Sequence, residues 1–291
     1  MSSERAASSE PARRAAPRPP VKATLTPKER YLPAVISVVS TVVVFGLVWR
    51  VVTSAENWPL IQRQFFNVDA MRDAFPMVLR GFGVNMAVWV VALVVIAVLG
   101  IVVAVFRSLT GPWAAPLRVF AILYIDLLRG LPAILLVLLL GLGVPALNLP
   151  GVTDSRLFWG SVALILGYTA YTSEVYRSGI EAVPDGQRAA AKALGLTQWQ
   201  TLRYSILPQA VRNVIPALLN LAVALQKDVA LLSVIGAREA VREAQIFTAR
   251  TFNFSSYIVA TGLFLLATIP MARFTDWVTR RDQERRLQRT L

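Results

Sequence analysis

Neither cysteine nor histidine occurs anywhere in the 291 residues. The first absence excludes disulfides and thiolate metal sites, and the second removes the commonest metal ligand and general base. No G-x-x-x-x-G-K-[ST] phosphate loop is present, so nucleotide must be handled elsewhere. An enzyme in its own right is therefore disfavoured, as is any cofactor held by this chain. Charge is scarce too: 16% of residues are Asp, Glu, Lys or Arg, against 55% hydrophobic. The apolar residues gather in runs of about twenty, the length a helix needs to cross roughly 30 Å of hydrocarbon. The prediction is an all-α membrane protein with about six transmembrane helices.

Residues 1–29, rich in Ala, Pro, Ser and Arg and without periodicity, read as a disordered basic tail. Residues 30–76 hold an extra N-terminal span, 32–52, and an outer amphipathic segment containing NWPLIQRQFF. Thr53-Ser54-Ala55 has the small-residue form of a signal-peptidase site, but leader and apolar run are both too long, so a retained helix is expected. Five further spans, 84–106, 117–140, 157–176, 214–236 and 257–272, fall in a transmembrane domain over 77–275, and 276–291 closes the chain as a basic cytoplasmic tail.

The formal charge of +13 could point to nucleic acid, but its distribution points to a bilayer. Of thirty Lys and Arg, seven lie in 1–30, two in 107–118, five in 177–212 and six from Arg273 onward; eight lie on the opposite side, and Arg129 and Lys227 are intramembrane. The positive-inside pattern places both termini and the 177–212 stretch in the cytoplasm. No nucleic-acid partner is expected.

That stretch is unusual for a connection between spans. Residues 179–212 are polar and basic, with strong helix formers from Gln187 to Leu194, a glycine stop at Gly195 and Thr197 as N-cap of a second helix through Trp199, Leu202 and Ile206. The prediction is a short helix, a glycine bend and another helix against the membrane. Small Ala189, Ala190 and Ala191 allow close approach of another protein, with Leu194 and Leu196 as apolar anchors. A partnerless interfacial hairpin is the plainer alternative.

Gly186-Gln187, Ala190-Ala191, Ala193-Leu194-Gly195, Leu207-Pro208-Gln209-Ala210 and Arg212 resemble the cytoplasmic EAA loop of binding-protein-dependent ABC importer permeases, polar amino-acid branch. Arg129-Gly130-Leu131-Pro132 resembles that branch's RGxP element, 174–179 its acidic-to-Arg lead-in, and Lys227-Asp228 with 231–236 its post-loop helix. The resemblance covers roughly 84–273. It implies that the last five helices form a type I ABC importer permease core in a bacterial cytoplasmic membrane. It further implies a second permease subunit, a dimer of ATPase subunits that handle ATP and Mg and dock on the coupling helix, and an extracytoplasmic binding protein delivering an amino acid. The expected coupling residues are Gly186, Gln187, Ala189, Ala190, Ala191, Leu194, Gly195, Leu196 and Pro208. The chain departs from the pattern at Ala189, where the family usually has Glu, at Ser205, usually Ile or Val, and at Val229-Ala230, usually Thr-Ser. The lost carboxylate suggests one member of an unequal pair, so a heterodimer is favoured over a homodimer.

Charges inside a bilayer are functional candidates because they are costly unless paired or facing water. The candidate substrate path comprises Asp126, Arg129, Gly130, Pro132, Asn220, Lys227 and Asp228. Asp126 and Arg129 lie three apart on one helix face, just before Gly130 and Pro132, which loosen the helix. The pair could bind a zwitterion's ammonium and carboxylate, or could be an intrahelical ion pair that only eases insertion. Lys227 and Asp228, being adjacent, point to different faces. Glu174 near Arg177 favours a structural role, and Tyr168, Tyr171 and Asn220 are more often interhelical hydrogen bonds than ligand contacts. Glutamate or glutamine is the preferred cargo. A stand-alone secondary transporter or channel remains the alternative.

Overall fold

A computed structural model describes residues 27–290. The tail expected over 1–29 lies outside them except at its last three positions, which already belong to a helix. Every element among the described residues is helical. The chain divides into two units, Met1–Trp58 and Pro59–Leu291. In the first, α1 (Pro27–Thr53) is an apolar helix whose large side chains are exposed all round, as lipid-facing residues would be. Trp49 meets Trp58 edge-on beyond its end, the rings 6.2 Å apart.

The second unit begins inside α2 (Trp58–Phe65), after its first residue, and continues with a long α3 (Val68–Ser108), capped by the Asn67 side chain on the Ala70 N–H. There follow α4 (Ala115–Gly130), α5 (Ala133–Ala146) and α6 (Arg156–Glu181). The 179–212 stretch forms α7 (Asp185–Ala193) and α8 (Gln198–Gln200), and a π-helical turn, Thr201–Ile206, leads into α9 (Leu207–Asp228). A 3₁₀ segment, Val229–Ile235, precedes α10 (Ala240–Thr251) and α11 (Ser255–Thr290).

Among the described residues, four helices are long and apolar enough to span a bilayer: Tyr31–Thr53, Trp58–Ser108, Gln198–Ile235 and Ser255–Glu284. The stretch expected as the third span is two helices, α4 and α5, apolar enough to cross only when taken together and bent by 104° at their break. Proline at 132 has no N–H to give and forces Leu131 into an extended conformation (φ −91°, ψ 133°), which ends the helix. The fourth expected span exists as α6, yet is not apolar enough to qualify by composition. It packs against α3, α4, α5 and α9, so its Tyr168, Thr169, Thr172 and Ser173 face protein and need not be hydrophobic.

Most of the core gathers around α6: Ala92 and Ile96 of α3, Leu136 and Val137 of α5, Ala163 and Leu164 of α6, and Leu225, Leu232 and Ile235 pack together. A second cluster joins α3 to α10 and α11 through Ala74, Val78, Ala240, Ala244 and Ala260. Gly81 makes that contact possible, since an added Cβ would lie 2.7 Å from backbone atoms of Glu239 and Ala240.

Candidate functional site

The break between α4 and α5 opens one wall of a cavity of about 240 Å³ lined by Leu128, Leu131, Leu136, Tyr168, Tyr171 and Asp228, among others. Asp228 closes α9, where the helix tightens into the 3₁₀ segment. Its Oδ2 accepts a 2.8 Å hydrogen bond from the Tyr168 hydroxyl of α6. Across the cavity the Tyr171 hydroxyl donates to the Arg129 carbonyl (3.3 Å), in the last turn of α4, where carbonyls lose their helical partners. The Arg129 guanidinium lies over the Tyr171 ring, 5.6 Å from its centre.

Of the predicted path residues, Asp228 lines the cavity, while Arg129, Gly130 and Pro132 sit at its edge. Asp126 is exposed, and no salt bridge joins it to Arg129 among the described residues. Asn220 and Lys227 are exposed outside the lining, seven residues apart on one face of α9. Lys227 and Asp228 diverge, as adjacent helical residues must.

At the other end of α6, charges link α3 to the 179–212 stretch. Arg107 reaches Glu174 at 2.6 Å, Glu174 pairs with Arg177, and Arg177 with Glu181. The role of Glu174 is thus to join helices. Val183, Ile206 and Ala210 form a small core under α7, with Ile180 against it. Gly186, Gln187, Ala189, Ala190 and Pro208 are exposed, Leu196 is half-buried, and Leu194 projects with 81% of its surface exposed. Ala191 turns inward and is buried, so it is not part of the outer surface. Gly195 takes φ +76°, a left-handed stop, and Thr197 and Gln200 make a reciprocal capping box. One expectation is extended: the second helix does not stop at Ile206. It runs through the π turn into α9, because Pro208 falls in the first turn, where a missing N–H costs nothing.

A third cluster lies between α3 and the start of α10. The Glu239 side chain caps α10 by accepting from the Val241 and Arg242 N–H groups (3.1 and 2.7 Å), and also accepts from Asn85 Nδ2 at 2.9 Å. Asn85 Oδ1 in turn accepts from the Ala240 N–H at 2.9 Å. Burial pushes the Glu239 carboxyl up, while the Asn85 amide and the two backbone N–H groups pull it back.

The family described as "Binding-protein-dependent transport system inner membrane component" matches residues 108–282. The chain belongs to the permeases of binding-protein-dependent amino-acid ABC transporters. It is 38% identical over 196 residues to the probable amino-acid ABC transporter permease protein y4tG of Sinorhizobium fredii, covering 67% of this chain and 82% of that one. It is 32% identical over 218 residues to the probable glutamine ABC transporter permease protein GlnM of Bacillus subtilis, covering 74% and 97%. A crystal structure of an amino acid ABC transporter with histidines superposes with a TM-score of 0.66 at 28% identity, covering 72% of this chain and 96% of that one.

Sequence reasoning about the permease missed two pairings. Tyr168 with Asp228 and Asn85 with Glu239 are separated by 60 and 154 residues, and no local period links them. The only available signal was an acid within or next to an apolar run, which already demands a partner.

Proposed function

We propose that this permease moves a polar amino acid, glutamate or glutamine by preference, inward across a bacterial cytoplasmic membrane by alternating access. The observation that carries the reading is the cavity at the α4–α5 break, with the Asp228 side chain on one wall and Arg129 stacked on Tyr171 at its edge. A zwitterion needs one group of each sign; Asp228 serves its ammonium, the part sequence reasoning gave to Asp126, and Arg129 serves its carboxylate. Broken helices with freed backbone groups suit such sites at mid-membrane.

ATP and Mg are handled by two ATPase subunits, which grip Ala189, Ala190 and Leu194 on the exposed face of the 179–212 stretch. Both termini lie with that stretch in the cytoplasm, and a binding protein delivers cargo to the other side. Exposed Asp126, Arg129, Asn220 and Lys227 cannot face lipid cheaply, which supports a second permease subunit against that side. Ala189, in the position of the family's Glu, favours an unequal pair.

Uptake into vesicles carrying the complete complex, with a panel of competing amino acids, tests this reading. Arg129→Ala abolishes uptake while ATPase binding persists; unchanged transport would remove Arg129 from the path.

A further inference from the structure

We propose that Asp126 and Lys227 pair across the seam with the companion permease subunit, each meeting an opposite charge at its own depth in the bilayer. The proposal rests on the reading that a second permease subunit covers the side on which Asp126, Arg129, Asn220 and Lys227 are exposed. It gives two of the four charged side chains at this level to assembly and leaves Arg129 and Asp228 to the cargo. Asp126 and Lys227 are both exposed, and neither has a hydrogen-bond or ion-pair partner among the described residues. Charges at such a depth are costly unless paired or wet.

The two charges stand at one height, for which α6 is the ruler. Tyr124, two residues before Asp126 on α4, donates its hydroxyl to the Leu166 carbonyl at 2.7 Å, and Arg129, three residues after Asp126, offers its carbonyl to the Tyr171 hydroxyl. Lys227 adjoins Asp228, which accepts from the Tyr168 hydroxyl. Both charges therefore fall at the level of 166–171 of α6, a window of about 7.5 Å. Two subunits that turn their 179–212 stretches to the same side are related by a two-fold along the membrane normal, which keeps each residue at its depth. Only groups at equal depth meet across such a seam, and opposite signs at equal depth are self-complementary: the acid of each subunit faces the cation of the other. Arg129, the other cation at this level, lies over the Tyr171 ring and forms no salt bridge with Asp126 on its own helix. With Asp126 and Lys227 satisfied by the companion, one cation and one acid stay at the cavity, one for each end of a zwitterion.

The test is recovery of the companion permease with the tagged chain from detergent-solubilised membranes holding the complete complex, counted per tagged chain so that poor insertion is not mistaken for lost pairing. Asp126→Lys and Lys227→Asp each lower recovery about tenfold or more, because each sets like charges against each other at the seam. The double reversal, with the companion left wild type, lowers it further, and reversing the two aligned positions of the companion as well restores it. Restoration by the double reversal with a wild-type companion means that the charges pair within one subunit, and overturns the proposal. Unchanged recovery in both single variants means that they face a water-filled path, and overturns it too, as does an uncharged residue in the companion at either aligned position. Asp126→Asn and Lys227→Met replace the reversals where those fail to insert; they lower recovery several-fold, and unchanged recovery there is again contrary. A wild-type chain that recovers no second permease subunit sinks the parent reading and the pairing with it, whereas a companion indifferent to the variants sinks the pairing alone.

Discussion

Replacing Gly81 by alanine perturbs the permease at a point where two elements touch backbone to backbone. The new Cβ would lie 2.7 Å from Ala240 N and from the Glu239 carbonyl carbon, where ordinary contact begins near 3.4 Å, so α10 must retreat by about 0.7 Å. Neither neighbour is a flexible side chain that could swing aside. The two bonds from Asn85, to Glu239 Oε2 and from the Ala240 N–H, are 2.9 Å each and would stretch to about 3.6 Å, beyond hydrogen-bonding distance. Overpacking of this kind costs about 1–3 kcal/mol, and each weakened bond adds about 1 kcal/mol more. A total near 3 kcal/mol corresponds to a more than hundredfold rise in local opening. Hydrogen exchange at the α10 amides of the detergent-purified protein reads this directly, at residues 243–247. Gly83→Ala is the control, since nothing lies within 4 Å of its added Cβ and alanine favours a helix. Unchanged exchange in Gly81→Ala, or equal acceleration in both variants, would refute the argument from close approach.

Two further outcomes follow at the 179–212 end of the molecule. Glu174→Gln removes the carboxylate shared by Arg107 and Arg177; partial exposure limits the stability loss to about 1 kcal/mol, but ATP hydrolysis continues while uptake falls at least several-fold, measured on the same proteoliposomes. Leu194→Asp puts a charge on the most projecting apolar side chain of the 179–212 stretch, and co-purification of the ATPase subunits drops below a tenth of wild type while the permease itself keeps its thermal midpoint.

The apolar runs made α1, α3, α9 and α11 legible, because span length is imposed by the bilayer and shows in composition alone. The interlude was legible for a different reason: Gly195 and Thr197 act within four residues of themselves, so a left-handed stop and a capping box can be read locally. Pro132 announced the break in the third span, although not an angle of 104°. What stayed hidden depends on distant partners. α6 looks like one span among six, yet it is the helix the others pack around, and its polar residues make sense only in that setting. α10 went unread because it begins only four residues after Gly236 and is capped by a glutamate whose other partner, Asn85, is supplied by α3. In the cavity, the sequence named Asp228 but paired Asp126 with Arg129, whereas the fold brings Asp228 with Tyr168 to the lining and leaves Asp126 outside it; spacing along one helix cannot foresee which face a neighbouring helix will cover.

The central claim is that this chain is driven from outside the bilayer by nucleotide. Uptake of labelled glutamine into proteoliposomes holding the permease, its companion subunit, the ATPases and the binding protein tests it most directly. The account predicts accumulation that requires ATP and the binding protein together and survives ionophores that collapse the proton and sodium gradients. Uptake by the permease alone, or uptake abolished by ionophores while ATP remains abundant, would contradict it.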